Sequence, residues 1–107
     1  MIKATYYREH HRLTVEGHAN SGEPGHDLVC AAASALAYTL AANVANLADN
    51  GKVKAPNLIL EPGKAEISSN PVSRFKDTVT LVYQAVCVGF EILAQEYPQY
   101  ISYEIHG

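Results

Sequence analysis

The stretch GHANSGEPGHDLVCAAASALAYTLAANVANLADNG, residues 17–51, contains a strand end, a polar loop and a long helix in succession. Glycine and proline fill its first part, so regular structure is not expected there. Asp27 is a favourable N-cap, and apolar residues then recur at helical spacing until Asn50 and its following glycine. The stretch predicts a polar loop followed by a helix over residues 28–48.

The residues before this stretch predict a β-hairpin. Residues 2–8 are rich in β-branched and aromatic side chains, and residues 13–16 alternate between apolar and polar. A turn through residues 9–11 connects them. We expect His10 and His11 to be solvated in this turn.

The residues after it repeat the pattern of a hairpin and then a helix. Residues 58–60 and 65–67 alternate on either side of a Pro-Gly turn, which predicts a second hairpin. Residues 74–97 follow the 3.6-residue period, and residues 101–105 alternate as a last strand. The order ββαββαβ predicts an α+β fold, a mostly antiparallel sheet with two long helices in a two-layer or sandwich arrangement.

Length and composition favour one globular domain, residues 1–107, and the cysteine count and N-terminal sequence predict that it is cytoplasmic. The chain is 48% hydrophobic and 18% charged, which argues against disorder. A formal charge of -3 lacks the basic footprint of a nucleic-acid-binding domain, so we expect no direct nucleic acid partner. Two cysteines are too few for a disulfide framework, and no secretory signal or membrane segment is expected.

His18 and Cys30 are the candidates for thiol chemistry. A cysteine in the first turn of a helix lies where unpaired N–H groups and the macrodipole favour a thiolate, and the same N–H groups suit a developing oxyanion. The alternative without catalysis is that Cys30 only packs in the core of the protein and His18 is only solvated. A metal site using His18, His26, Asp27 and Cys30 is a further alternative, although its spacing lacks the pairing of common zinc motifs.

The run from Gly17 to Leu36 resembles the signature of the bacterial ribosomal-processing cysteine proteases, the Prp family. The matching elements, in chain order, are Gly17-His18-Ala19, Gly22 and Gly25 in the loop, His26-Asp27, Leu28-Val29, Cys30-Ala31 and Ser34. The similarity extends over the whole chain in length and element order, but only these twenty residues are specific.

This resemblance implies a cysteine endopeptidase that needs no cofactor or metal. It implies removal of an N-terminal extension from a large-subunit ribosomal protein near the peptidyl-transferase centre, a homodimer, and a mobile loop over the active site. By the same resemblance Cys30 is the nucleophile and His18 the general base and then acid. The rival hypothesis is a non-enzymatic ribosome-associated module that binds a peptide or assists assembly.

Other residues of the run have two interpretations each. Asp27 either orients His18 or only caps the helix, and His26 either replaces His18 as the base or anchors the loop. Ser34 either lines the pocket or bonds back to its own helix. The loop residues Gly22 and Gly25 are hinges or turn glycines. Cys87 lies far from a helix end and is interpreted as an inert packing thiol.

Overall fold

The computed structural model describes residues 1–17 and 24–107, with side chains described from residue 28 onward in the second range. The strands are β1 (Ile2–Tyr7), β2 (Arg12–Glu16), β3 (Val53–Glu61), β4 (Lys64–Pro71) and β5 (Ile101–His106). The long helices are α1 (Pro24–Asp49) and α2 (Lys76–Glu96), and short 3₁₀ turns cover Arg8–His10 and Ser73–Phe75. The predicted order ββαββαβ is confirmed.

The described strands form one sheet in the order β3-β4-β2-β1-β5. The pairs β3–β4, β4–β2 and β2–β1 are antiparallel, whereas β1 and β5 are parallel, with Ile2 opposite Ile101. A short turn can join two antiparallel strands, but parallel strands need a longer connection. The chain enters β5 from α2, and β5 then pairs with β1 at the edge of the sheet. The sheet is therefore mixed, with antiparallel pairing predominant.

Both helices lie on one face of this sheet, so the fold has two layers. α1 contacts α2, β3 and β4, and α2 contacts β5. One core cluster joins Tyr6 and Leu13 of the sheet to Leu40 of α1 and Phe90 of α2. By length and composition alone both helices are also apolar enough to cross a membrane, a property that core helices share. Their packing against the sheet accounts for that apolar composition.

α1 begins four residues before the predicted start at Leu28. Its first residue is Pro24, which suits that position because it has no N–H to leave unpaired. The backbone of Gly25 therefore lies in the first helical turn and not in a loop. Asp27 is the fourth residue of the helix, so its prediction as the N-cap is wrong.

The predicted end of α1 is confirmed by a Schellman cap. Gly51 adopts a φ of +71° and its N–H donates to the Ala48 carbonyl at 3.0 Å. The N–H of Lys52 donates to the Leu47 carbonyl at 2.8 Å. These two bonds satisfy carbonyls that the end of a helix would otherwise leave free.

His11 differs from the expectation of a solvated turn residue. It has a φ of +47° and is only 4% exposed, whereas His10 is exposed. Its Nε2 shares a hydrogen bond of 2.8 Å with Thr80 Oγ1, and its ring meets the Tyr83 ring edge-on. The prediction of solvation is thus right for His10 and wrong for His11, because α2 packs over the end of the first hairpin.

Candidate active site

Cys30 lies in a cleft between α1 and the tip of the β3–β4 hairpin. The cleft has a volume of about 150 Å³. One wall is a single face of α1, since Cys30, Ser34 and Tyr38 follow each other at intervals of four residues. The opposite wall includes Leu60 and Lys64 of the hairpin. Cys30 is half-buried, so it packs against the core and also borders the cleft.

Gly17, the last described residue before His18, lines the same cleft. Its φ is +113°, a conformation that side chains rarely adopt, and its N–H donates to the Gly63 carbonyl at 3.0 Å. A Cβ atom at Gly17 would collide with the backbone carbonyl of Met1. The chain can pass between Met1 and the hairpin turn only because this residue is glycine.

The place of Cys30 within α1 corrects one predicted feature of the site. Cys30 is the seventh residue of the helix and lies in its second turn. Only the first four N–H groups of a helix lack an internal partner, and the macrodipole acts mainly within the first turn. The helix end therefore contributes less to a thiolate at Cys30 than the sequence predicts. In this conformation the N–H of Cys30 is also not among the free donors of the helix end.

The remaining residues of the predicted site fall largely outside what the structure describes. His18 and Gly22 lie outside the described residues, and so do the side chains of His26 and Asp27. Their predicted roles stay predictions. Ser34 lines the cleft.

Sequence reasoning missed the contribution of the second hairpin to the site. Leu60 is 39% exposed and lines the cleft beside Glu61. Glu61 lies opposite Lys64 across the hairpin, so an acidic and a basic residue lie side by side at the cleft. The alternation of residues 58–60 predicts a strand, but it carries no signal that this strand ends beside Cys30.

Cys87 is the inert thiol that the sequence predicts. It is 3% exposed in the middle of α2, and neither cysteine is in a disulfide. Burial raises the pKa of Cys87 to about 11, although a hydrogen bond with Tyr103 opposes the rise. A thiol with so high a pKa is almost entirely uncharged near neutral pH and is a poor nucleophile.

Comparison with known proteins identifies the family. A family model described as cysteine protease Prp matches residues 1–102. A relative from Mycoplasma pneumoniae, named ribosomal processing cysteine protease Prp, is 32% identical over 108 residues. The matched region covers 97% of this chain and 94% of that relative.

Two crystal structures have the same fold. A protein from Streptococcus mutans matches with a TM-score of 0.73 at 28% identity, covering 99% of this chain and 94% of that one. An essential ribosomal processing protease Prp from Staphylococcus aureus, in complex with a substrate peptide, matches with a TM-score of 0.69 at 26% identity. That match covers 97% of this chain and 96% of the other. Since the family model spans nearly the whole sequence, this chain belongs to the cysteine protease Prp family.

Proposed function

We propose that this protein is a cysteine endopeptidase that removes the N-terminal extension of a bacterial large-subunit ribosomal protein near the peptidyl-transferase centre. The observation that carries the proposal is that Cys30 and Gly17, the neighbour of His18, line one cleft. The names of the relatives support the substrate, since they refer to ribosomal processing. The bound substrate peptide of the Staphylococcus aureus protein supports peptide binding by this fold.

In the proposed mechanism His18 takes the proton of the Cys30 thiol, and the thiolate attacks the scissile carbonyl carbon. The tetrahedral intermediate expels the amine, which receives the proton from His18 and leaves as the mature protein. The extension remains as a thioester on Cys30. Water then gives a proton to His18 and attacks the thioester, and the released thiolate regains that proton. Because Cys30 lies in the second turn of α1, His18 is the main activating group.

The cleft favours an apolar substrate side chain close to the scissile bond. Ile2, Val15 and Leu60 lie on its walls, and Ala33 and Ala37 leave space along α1. A formal charge of -3 is compatible with attraction of a basic ribosomal protein. We further propose a cytoplasmic homodimer that contacts its protein substrate and requires no direct contact with nucleic acid.

The proposal is tested by incubating the protein with a peptide that spans the extension junction of the ribosomal target. Cys30→Ala should abolish cleavage, and His18→Ala should lower kcat/KM by about 10²–10⁴-fold, the usual contribution of a general base. Cys87→Ser is the matched control and should retain cleavage, because that thiol is buried away from the cleft. Cleavage by Cys30→Ala at the wild-type rate would contradict the mechanism.

Thiol labelling distinguishes the enzyme from a peptide-binding module. Iodoacetamide at moderately acidic pH should alkylate Cys30 much faster than Cys87, since Cys30 is half-buried at its cleft, whereas Cys87 is 3% exposed and burial raises its pKa to about 11. His18→Ala should slow the labelling of Cys30 without affecting Cys87. Equal and slow labelling of both thiols would favour the non-enzymatic module.

A further inference from the structure

β3 is an edge strand of the sheet, and it ends beside the Cys30 cleft. It stands first in the strand order and pairs only with β4 among the described strands. Most of its residues are exposed, and Leu60 and Glu61 at its end line the cleft. Residues 55–60 carry no charge, although charged side chains commonly protect an exposed edge strand. This edge is therefore open to a further strand that leads to the Cys30 cleft.

A bulge limits the usable part of this edge. The register shifts between Lys54 and Asn57, so the two residues between them form the bulge. One of them, Ala55, has a φ of +49°, and the other, Pro56, has no N–H to donate. The open edge therefore consists of residues 57–61 and ends at the cleft.

The backbone N–H and C=O groups of Leu58 and Leu60 point outward along the open edge. A two-residue turn joins Glu61 to Lys64, so these two residues form a hydrogen-bonded pair. Hydrogen-bonded and non-hydrogen-bonded pairs alternate along an antiparallel ladder. Leu60 and Leu58 therefore belong to non-hydrogen-bonded pairs, and their backbone groups face away from β4.

The other side of β4 has the alternation that this requires. The N–H of Ser69 donates at 3.2 Å to the backbone carbonyl that precedes β2. Counting back by twos, Ile67 and Ala65 also direct their backbone groups to β2, and they are the β4 partners of Leu58 and Leu60. The two leucines thus have no ladder partner for their outward groups among the described strands.

Leu58 and Leu60 also present apolar side chains on the helix side of the sheet. Their partners Ile67 and Ala65 belong to the core cluster or pack against it, and opposite residues share a face. Leu58 is 37% exposed and Leu60 is 39% exposed. Tyr38 of α1, which is 57% exposed, lines the cleft beside them. An added strand therefore gains apolar contacts at every second residue.

We propose that the substrate peptide binds as an added strand along the open edge of β3, with its scissile bond at Cys30. This inference rests on the proposed peptidase function and specifies how the precursor is held. The backbone bonds hold an extended peptide, and the exposed leucines select apolar side chains at alternate positions on one side of the scissile bond. The open edge suits a peptide better than a second copy of this chain, because it is short and continuous with the cleft.

Amide hydrogen exchange tests the added strand directly. The full-length Cys30→Ala protein is saturated with the peptide that spans the extension junction, so binding is measured whether or not the wild type cleaves it. The amides of Leu58 and Leu60 should exchange at least about tenfold more slowly with peptide than without it, since they gain acceptors. Ile59 is the internal control and should change little, because its N–H already bonds to β4. Absence of saturable binding, or unchanged exchange at both leucines in the saturated protein, would overturn the proposal.

Leu58→Pro removes one outward N–H and leaves the ladder with β4 in place, because proline is tolerated where an edge N–H faces solvent. It should raise the Kd of the peptide at least about tenfold, whereas Leu58→Ala, which keeps the N–H, should raise it less. Iodoacetamide labelling of Cys30 should be unchanged in both variants. Equal Kd values for the two variants would contradict backbone pairing. Loss of self-association in Leu58→Pro with unchanged peptide binding would instead assign the edge to a second copy of the chain.

N-methylation of the peptide, one residue at a time, tests the same bonds without altering the protein. Methylation should weaken binding to Cys30→Ala at alternate residues on one side of the scissile bond, and that side gives the direction of the added strand. Losses without alternation would overturn the proposal. If the wild type fails to cleave a peptide that protects Leu58 and Leu60, the proposed function is wrong and this mode of binding is not.

Discussion

At the residue scale, Gly17 and Gly51 show how the same backbone requirement has different consequences in different surroundings. Both have positive φ, +113° and +71°, and both therefore favour glycine. A Cβ at Gly51 would meet nothing within 4 Å, whereas a Cβ at Gly17 would meet the Met1 backbone. Glycine is required at position 51 by the local conformation that ends α1, whereas at position 17 it is also required because the Met1 backbone lies so close.

We predict that Gly17→Ala reduces both stability and cleavage. The strained φ alone costs about 1–3 kcal/mol, and the collision with Met1 adds to it. Because Gly17 lines the cleft and precedes His18, a shift of this backbone also displaces the proposed base. Urea denaturation and kcat/KM on the junction peptide measure the two effects.

Gly51→Ala is the control for this prediction. It should cost about 1–2 kcal/mol, the penalty of a left-handed conformation, and leave kcat/KM unchanged. An equal loss of kcat/KM in both variants would show that general destabilisation, and not the position of His18, explains the effect at Gly17.

At the element scale, apolar periodicity predicts both helices and the strands, but it does not predict where α1 begins. Pro24 and Gly25 are typical of loops, yet proline also suits the first position of a helix. The four additional residues move Cys30 from the first turn to the second. Pro24 is thus compatible with a loop and with the start of a helix, and the conformation of the whole segment decides that it begins α1.

The contact between α1 and α2 provides a test of helix packing. A Cβ at Gly89 would lie 2.6 Å from Leu36 Cδ2, so Gly89→Ala forces Leu36 to move. Alanine favours a helix by about 0.5–1 kcal/mol over glycine. We predict that Gly89→Ala stabilises the protein by this amount only when Leu36→Ala is also present.

In the wild-type background the same change should be neutral or destabilising. The two positions should then show a coupling energy of at least about 0.5 kcal/mol in a double-mutant cycle of urea denaturation. Additive effects at Gly89 and Leu36 would mean that the two helices separate easily and that this contact does not limit their approach.

At the scale of the whole molecule, burial of His11 couples stability to pH. Burial, and then the positive charge of Lys76, lowers the pKa of His11 from its usual value of 6.5. Below about pH 6.5 the unfolded chain binds a proton that the folded protein resists. The free energy of unfolding should therefore fall as the pH drops from about 7 to 5.

Urea denaturation across this pH range measures the effect. His11→Asn should be less stable at pH 7, since it loses the bond to Thr80, and its stability should depend less on pH. Asparagine is chosen because it tolerates a positive φ. The exposed His10 is the control, and His10→Asn should keep the wild-type dependence. If the free energy of unfolding of His11→Asn depends on pH as steeply as that of the wild type, His11 is not the origin of the pH dependence.

By itself the sequence determined the elements, their order, the end of α1 and the family to which the chain belongs, because each depends on periodicity, turn residues or a contiguous run. Only the tertiary structure decided that β5 joins β1 in parallel, that His11 is buried, and that Leu60 and Gly17 meet Cys30 in one cleft. These contacts join residues far apart in the chain. They form because two helices and a sheet must bury a single shared core, which no local pattern encodes.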